Sequence, residues 1–354
     1  RFMSQFFDEI HEQPQALEKT LRHYLSSEGC YLLDKTAKLW ASGKYNSLVF
    51  TGMGSSYFVS CAAASLLNAG GINASALDTG ELLHFRHPSL HKDTLLVAIS
   101  QSGESYEVVK LLEKLSEKDD CPTFIGITNT EGSSLDRLSE ISLPCFAGKE
   151  DMTSTKTFIC TYLIAYLLAE KILGKPVDAE ILEKLPGQVA DGLAGKEKYL
   201  RKAVDALGEH KFVQVVARGP VFASASQTAL MFMEATKTPA SALLGGEFRH
   251  GPLEMVGKDF IGVLFAHSAS GVFPQMERLA SDILAFGGKV ILLTDKGLAQ
   301  TCDNLLQIVV ECEDADLFAI PAIVPLQLMV DRWAEEKNLI PGNFTRANKV
   351  TSTE

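Results

Sequence analysis

The chain has 354 residues, so two domains of ordinary size are expected. Hydrophobic residues make up 46% of it and charged residues 22%, a composition that excludes an intrinsically disordered protein. The formal net charge is −11, from 33 basic and 44 acidic residues, which argues against wrapping nucleic acid or lying on an anionic membrane. An anionic ligand would therefore depend on local hydrogen-bond donors.

The cysteines and the apolar runs predict a cytoplasmic protein. There are seven cysteines, an odd number, and no two form a CxxC pair, so neither a disulfide framework nor a zinc site is expected. The longest clean apolar run, residues 163–169, is too short to span a bilayer, and the N-terminus has no apolar signal core. No metal-ligand set is visible. We therefore expect no membrane or nucleic-acid partner and no metal or other cofactor.

Apolar runs rich in β-branched residues predict three strands in each half of the chain. They cover residues 47–51, 95–100, 124–128, 212–217, 261–266 and 290–294. Val49 and Val215 are 166 positions apart, and the second and third pairs of strands repeat this offset. One offset for three strands indicates duplicated βαβ units, and continuous apolar runs are typical of buried parallel strands. The prediction is an α/β fold of two tandem domains, each a doubly wound, flavodoxin-like parallel sheet flanked by helices.

Helical patterns separate and follow these strands. Residues 158–173 close the first half, residues 179–207 are charged and helical, and residues 323–337 predict a last helix. The predicted organisation is an N-terminal helix (1–27), a first domain (28–174), linking helices (175–205), a second domain (206–340) and a tail (341–354).

A hydroxyl-rich loop follows the second predicted strand. Residues 100–105 read SQSGES and open a helix, at the edge of the sheet where α/β proteins bind ligands. Free amides and the positive end of the helix dipole favour an anion there, and Ser100, Ser102 and Ser105 add hydroxyls. The alternative is an ordinary helix N-cap, since serine caps are common.

Two more segments favour a phosphate site. Gly54, Ser55 and Ser56 follow the first predicted strand, and residues 153–155 (TST) follow an acidic loop and open another helix. Either segment alone could be a tight turn or a cap. Neither the Walker pattern nor the GxGxxG dinucleotide fingerprint is present.

Several motifs in order resemble the sugar isomerase (SIS) domain family, above all the isomerase half of glucosamine-6-phosphate synthase. Residues 9–21 resemble the start of that half, and residues 54–57, 99–105 and 154–158 resemble its sugar-phosphate loops. Residues 217–219 stand at its arginine–glycine turn, and residues 246–252 (GEFRHGP) resemble its E-x-x-H-G-P motif. Residues 324–328 and 348–354 resemble its last helix and tail.

The resemblance implies a phosphosugar enzyme and a set of site residues. The implied substrate-binding residues are Gly54, Ser55, Ser56, Ser100, Gln101, Ser102, Ser105, Ser154 and Arg218. Glu234 matches the family's proton-transfer carboxylate, His250 its ring-opening histidine and Lys349 the tail lysine that forms an imine with the sugar carbonyl. It further implies a homodimer in which His250 comes from the neighbouring subunit, and a tail that closes the active site.

The residue types suit these roles, although each has a plainer interpretation. A carboxylate can move a proton between C1 and C2, a histidine can give and take protons near neutral pH, and a lysine can capture a carbonyl. Without the resemblance, Glu234 would be a solvated helix residue, His250 a turn residue and Lys349 an exposed charge. Glu247 and Arg218 could simply form structural ion pairs.

Two departures separate the chain from the synthase. Gln227 and Met231 stand where the synthase has a glutamate and a lysine, so the polar surroundings of Glu234 are reduced. No segment resembling the synthase's glutaminase domain occurs in this sequence. The expectation is therefore a protein like the stand-alone amino-sugar phosphate deaminases and the glucoselysine- or fructoselysine-6-phosphate deglycases.

The favoured reaction breaks the C–N bond of an amino-sugar 6-phosphate or sugar–amine adduct, giving fructose 6-phosphate and free amine or ammonia. Three alternatives stay open: a deglycase acting on a C1 amine that gives glucose 6-phosphate, a plain aldose–ketose isomerase, and a non-catalytic sugar-phosphate sensor. The second predicted domain has AHSASG at residues 266–271 in place of SxSGES, which favours a scaffold role there.

Overall fold

A computed structural model describes residues 4–344, 346 and 348–351. The chain divides into two compact units, and each is described by itself. The first unit comprises residues 15–183 and 345–354, and the second comprises residues 1–14 and 184–344. The terminal residues 1–3 and 352–354, together with residues 345 and 347, lie outside the described part.

The first unit is built on a five-stranded parallel sheet. Its strands are β1 (Ser47–Gly52), β2 (Ala74–Asp78), β3 (Thr94–Ile99), β4 (Thr123–Thr128) and β5 (Ile141–Pro144). They are ordered β2-β1-β3-β4-β5. The helices are α2 (Gln13–Tyr24), α3 (Ser27–Ala41), α4 (Ser55–Ala69), α5 (Thr79–Glu81), α6 (Tyr106–Ser116), α7 (Ser134–Leu138) and α8 (Lys156–Ile172).

The second unit has the same plan. Its strands are β6 (Val213–Ala217), β7 (Ala240–Leu244), β8 (Ile261–Ala266), β9 (Lys289–Thr294) and β10 (Leu305–Val309), all paired in parallel in the order β10-β9-β8-β6-β7. The helices are α1 (Gln5–His11), α9 (Ala179–Ala194), α10 (Leu200–Leu207), α11 (Phe222–Thr236), α12 (Gly245–Arg249), α13 (Phe273–Ala285), α14 (Ala319–Ala322) and α15 (Val324–Glu336).

The two sheets confirm the predicted duplication. Strands β1, β3 and β4 occupy the same places in their sheet as β6, β8 and β9 in theirs, and these are the pairs related by the 166-residue offset. All residues of β3 and β8 are buried, as expected for continuous apolar runs covered on both faces. The predicted α/β fold of two parallel, helix-flanked sheets is therefore confirmed.

Helix α8 forms much of the core of the first unit. Sixteen of its residues are buried, including the apolar run 163–169, and it packs against α3 and α4. A helix that is apolar on all sides must be enclosed by protein in a globular domain. In the described part of the chain, no helix combines the length and hydropathy needed to span a membrane. The loop that precedes this rigid helix carries part of the candidate site.

Candidate functional site

The loop between β3 and α6 is held in one conformation by its own side chains. The Ser100 hydroxyl accepts a hydrogen bond from the Gly103 amide at 3.2 Å and lies 3.1 Å from the Ser105 hydroxyl. Gly103 has a φ of +66°, and a Cβ there would come within 2.0 Å of Ser133 Oγ, so only glycine fits. The loop therefore presents Gln101 and Ser102 in a fixed geometry.

The loop between β1 and α4 also depends on a glycine. Gly54 precedes α4 with φ 50° and ψ −124°, a conformation that is open essentially to glycine alone. It brings Ser55 and Ser56 to the first turn of α4, where backbone amides lack helical partners. Both loops lie at the carboxyl ends of adjacent strands, since β1 pairs with β3.

The helix starts at these loops are not capped by their hydroxyl side chains. Ser105 at α6 and Thr155 at α8 stand at N-cap positions without a side-chain capping bond. Elsewhere the chain uses serine caps in the ordinary way: Ser26 accepts from Gly29 N and Ser133 from Asp136 N. The interpretation of the SQSGES and TST segments as ordinary helix caps is therefore not supported. The hydroxyls of Ser105 and Thr155 have roles other than capping their helices.

The three hydroxyl-rich loops of the first unit meet at one cleft. Ser55, Ser56, Gln101 and Ser154 line one cleft, whose floor includes Thr157 of α8. The cleft holds about 10 Å³, which is room for one water-sized group or a phosphate oxygen. Most of any larger ligand would lie outside it. Four of the residues predicted from sequence thus share one small polar cleft in the first unit.

Lys349 from the C-terminal tail belongs to the same cluster. Its ammonium nitrogen is 2.8 Å from Glu150 Oε2, 2.6 Å from the Met152 carbonyl oxygen and 3.3 Å from Ser154 Oγ. A second contact fixes the tail, because the Tyr106 amide donates to the Thr351 carbonyl at 3.0 Å. Tyr106 is the first residue of α6, directly after the SQSGES loop. The tail is therefore attached beside two of the three loops.

Glu150 was not predicted from the sequence and is the most buried acid of this cluster. Its carboxylate accepts from the amides of Thr155 and Thr157 at 2.9 and 3.2 Å and from both threonine hydroxyls. It thereby caps α8 in place of Thr155. Burial by itself raises the pKa of Glu150, but Lys349 and the threonine hydrogen bonds outweigh burial and hold that pKa below its usual value. Glu150 is a buried carboxylate in its charged form.

The second unit carries Glu234 in the last turn of α11. Gln227 and Met231 precede it by seven and three residues, so the three side chains lie along one face of the helix. Gln227 and Met231 are buried, whereas Glu234 is half-buried. Lys237 is the C-cap after the helix; it has a left-handed φ of 54°, and its ammonium group donates to the Glu234 carbonyl. A half-buried carboxylate next to a helix end can exchange protons with a ligand.

His250 and Arg218 also lie in the second unit. His250 follows α12 and is exposed, while its neighbour Arg249 is ion-paired to Asp282 at 2.8 Å. Arg218 follows β6, and its guanidinium lies over Gly245 and Gly246: an added Cβ would come within 2.7 Å of Nε at Gly245 and within 3.5 Å of a terminal guanidinium nitrogen at Gly246. Arg218 thus has a packing role beside α12 within this unit.

The loop after β8 does not repeat the features of the SQSGES loop. Asp295 accepts hydrogen bonds from both the amide and the hydroxyl of Ser268, so a carboxylate of the protein occupies the position where an anion would bind. His267 is buried and uses both ring nitrogens, on Cys312 O and Ala269 N. The scaffold role expected for this segment agrees with these contacts.

The comparisons with known proteins agree with this fold. The glutamine–fructose-6-phosphate aminotransferase (isomerizing) of Pyrococcus horikoshii is 29% identical over 98% of this chain and 57% of its own length, so the chain spans little more than half of that relative. The C-terminal domain of glucosamine-fructose-6-phosphate aminotransferase from Francisella tularensis superposes with a TM-score of 0.83 at 23% identity, covering 94% of this chain and 96% of that one. Glucosamine-6-phosphate deaminase from Thermotoga maritima superposes with a TM-score of 0.75 at 22% identity, covering 98% and 99%.

The profile of the SIS domain family matches residues 44–171 and 207–332, one stretch in each of the two units. Each match contains all five strands of one of the two sheets. The chain therefore belongs to the SIS domain family, with two copies of the domain.

Proposed function

We propose that the protein breaks the C–N bond of an amino-sugar 6-phosphate, or of a sugar–amine adduct, and releases fructose 6-phosphate and ammonia or an amine. One observation carries the proposal: three hydroxyl-rich loops meet at a cleft beside a lysine cation, and the starts of α4 and α6 have no side-chain cap. Hydroxyls, free helix amides and a cation together suit a phosphate monoester.

The proposed chemistry uses one base, one histidine and water. His250 opens the sugar ring to the C1 aldehyde by exchanging a proton with the ring oxygen. Glu234 takes the proton from C2 and returns it to C1, while a proton moves from nitrogen to the C1 oxygen. C2 then carries an imine and C1 a hydroxyl. Water adds to the imine, and the C2–N bond breaks to give the ketone of fructose 6-phosphate and the free amine.

The surroundings of Glu234 support a reaction other than that of the aminotransferase. Buried Gln227 and Met231 precede it on α11, so its helix offers no second charge on this face before it. Because the synthase has a glutamate and a lysine at these two positions, a proton path through those two charges is absent in this chain. Glucosamine-6-phosphate deaminase from Thermotoga maritima shares the fold over 98% of this chain, which is compatible with a deaminase reaction.

Product analysis tests the proposal. The protein would be incubated with glucosamine 6-phosphate and, separately, with N-lysyl adducts carrying the amine at C2 of glucose 6-phosphate or at C1 of fructose 6-phosphate. We expect fructose 6-phosphate and one equivalent of amine from a C2-amine substrate. Glucose 6-phosphate as the only sugar product, or conversion of sugar phosphates that contain no nitrogen, would contradict it.

Removing the charge of Glu234 distinguishes an enzyme from a non-catalytic sensor. Glu234→Gln should keep affinity for fructose 6-phosphate and lose turnover by about 10²–10⁴-fold, the usual contribution of a general base. Glu254→Gln changes an exposed glutamate of the same unit and serves as the matched control. A Glu234→Gln protein with unaltered turnover would rule out Glu234 as the proton carrier.

A further inference from the structure

The contacts of Lys349 account for all the protons of its side chain. A lysine ammonium has three N–H donors, and the nitrogen of Lys349 has three acceptors: Glu150 Oε2, the Met152 carbonyl and Ser154 Oγ. A neutral amine would have only two donors and would present a lone pair to one of these oxygens. The arrangement therefore suits the ammonium form and leaves the nitrogen without a lone pair for attack on a carbonyl.

Glu150, the partner of Lys349, is held in place by contacts that do not involve the tail. Glu150 is held by the amides and hydroxyls of Thr155 and Thr157, all at the N-terminus of the buried helix α8. Its side chain has 0% exposure, against 18% for Lys349. A carboxylate held by backbone amides and a helix N-terminus stays ionised. The position of Glu150 is thus set by contacts within the start of α8, independently of the tail lysine.

From these contacts we infer that Glu150 is a positioning residue: it attaches the C-terminal tail by holding Lys349 as an ammonium ion beside Ser154. The inference rests on the proposed function only in taking the Ser154 cleft as the phosphate site. In this attached state Lys349 supplies positive charge and hydrogen bonds to the site. An imine with a sugar carbonyl would first require Lys349 to leave Glu150 and to lose a proton.

Chemical labelling of lysines tests the inference without any turnover, so its outcome is independent of the proposed reaction. Folded protein would be treated with a trace of acetic anhydride across a range of pH, and acetylation of each lysine would be measured by peptide mass spectrometry. Lys149, whose side chain is 84% exposed and pairs with Asp151, is the internal standard. We expect Lys349 to react at least tenfold more slowly than Lys149 at pH 8. Equal reactivity of Lys349 and Lys149 would overturn the inference. This measurement uses the wild-type protein and needs no variant.

Two matched substitutions then test Glu150 itself. Glu150→Gln removes the charge and keeps the shape, and we expect at least a tenfold gain in Lys349 labelling. Glu170→Gln is the control, because Glu170 lies on α8, is buried to 10% exposure and pairs with Lys175 at 3.1 Å. Glu150→Asp, which restores the charge, should restore much of the protection. Unchanged Lys349 labelling in Glu150→Gln would overturn the inference.

Discussion

Lys349 lies 2.8 Å from Glu150 although 199 residues separate them in sequence. The pair places the C-terminal tail of the chain on the first unit, against the start of α8. It also connects a residue suggested by the family resemblance with one that was not predicted from the sequence. A buried carboxylate paired with a lysine of the tail has consequences for stability as well as for ligand binding.

Replacing the lysine should change how stability depends on pH. The pKa of Glu150 lies below its usual value, so its contribution to stability is present above the unfolded-state pKa of about 4.3 and is lost as pH falls through the lower folded-state value. In Lys349→Met the burial of Glu150 remains and its strongest counter-charge is gone. Acid unfolding should therefore begin at a higher pH, with a loss of about 2 kcal/mol at neutral pH. Denaturant unfolding between pH 3 and 7 measures both the pH at which acid unfolding begins and the free energy of unfolding at neutral pH.

The control for this experiment is Lys149→Met, which removes an exposed member of a surface ion pair. Such pairs contribute little, and the acid unfolding of this variant should match that of the wild type. Identical acid unfolding of Lys349→Met and the wild type would contradict the assignment of Glu150 as a carboxylate stabilised by Lys349.

A methyl group at Gly103 should disrupt the SQSGES loop. In Gly103→Ala the new Cβ would meet Ser133 Oγ at 2.0 Å in addition to the cost of a positive φ. We expect at least tenfold weaker binding of fructose 6-phosphate by calorimetry. Gly132→Ala has a similar φ of +71° and nothing within 4 Å of the new Cβ, so it carries the backbone strain, about 1 kcal/mol, without the clash. Equal ligand affinity in the two variants would count against a rigid phosphate loop.

Two serine substitutions should separate binding from stability. Ser105 makes no capping bond to α6, so Ser105→Ala should weaken fructose 6-phosphate binding and leave the melting temperature nearly unchanged. Ser26 caps α3 by accepting from Gly29 N, and Ser26→Ala should lose about 1 kcal/mol of stability with unchanged affinity. Calorimetry measures the fructose 6-phosphate affinity of both variants, and thermal unfolding measures their melting temperatures. Unaltered affinity in Ser105→Ala would remove that hydroxyl from the proposed phosphate site.

The resemblance predicts that His250 acts in the site of a neighbouring subunit, and its exposure at the end of α12 is compatible with that role. Mixing inactive Glu234→Gln with inactive His250→Ala under conditions that exchange subunits should then restore activity. In a random mixture of dimers, half are heterodimers with one intact site each, so about a quarter of the wild-type activity is expected. No recovery despite proven exchange would show that both residues serve the site from one chain.

The fold could be predicted to the extent that its strands are buried. Central strands such as β3 and β8 are buried throughout and almost entirely apolar, and the sequence pattern identified them to within one residue. Strands β2, β5, β7 and β10 were missed. They are short and partly exposed, as in Ala240–Leu244, where alanine and serine alternate with little β-branched character. The helical stretch 179–207 is broken after α9 by a 3₁₀ turn at Gly195–Lys198.

The candidate site likewise has a part that could be predicted from the sequence and a part that could not. Gly54, Gly103 and the serines around them lie in contiguous motifs whose strand–loop–helix context is local, so they could be located from sequence. Glu150 could not, because its role depends on a tail lysine distant in sequence and on the amides of Thr155 and Thr157. Its position five residues before the N-cap of α8 was the only local signal, within an acidic loop.

The central claim is that nitrogen leaves C2 of a sugar phosphate. It is tested most directly by incubating the protein with glucosamine 6-phosphate labelled with ¹³C at C2 and following that carbon by NMR. We predict that its signal moves from the amine-bearing carbon to the C2 of fructose 6-phosphate, with one equivalent of ammonia released, and that Glu234→Gln abolishes the change. A C2 signal that keeps its nitrogen in the wild type, while C2-amine adducts are also left intact, would contradict the account.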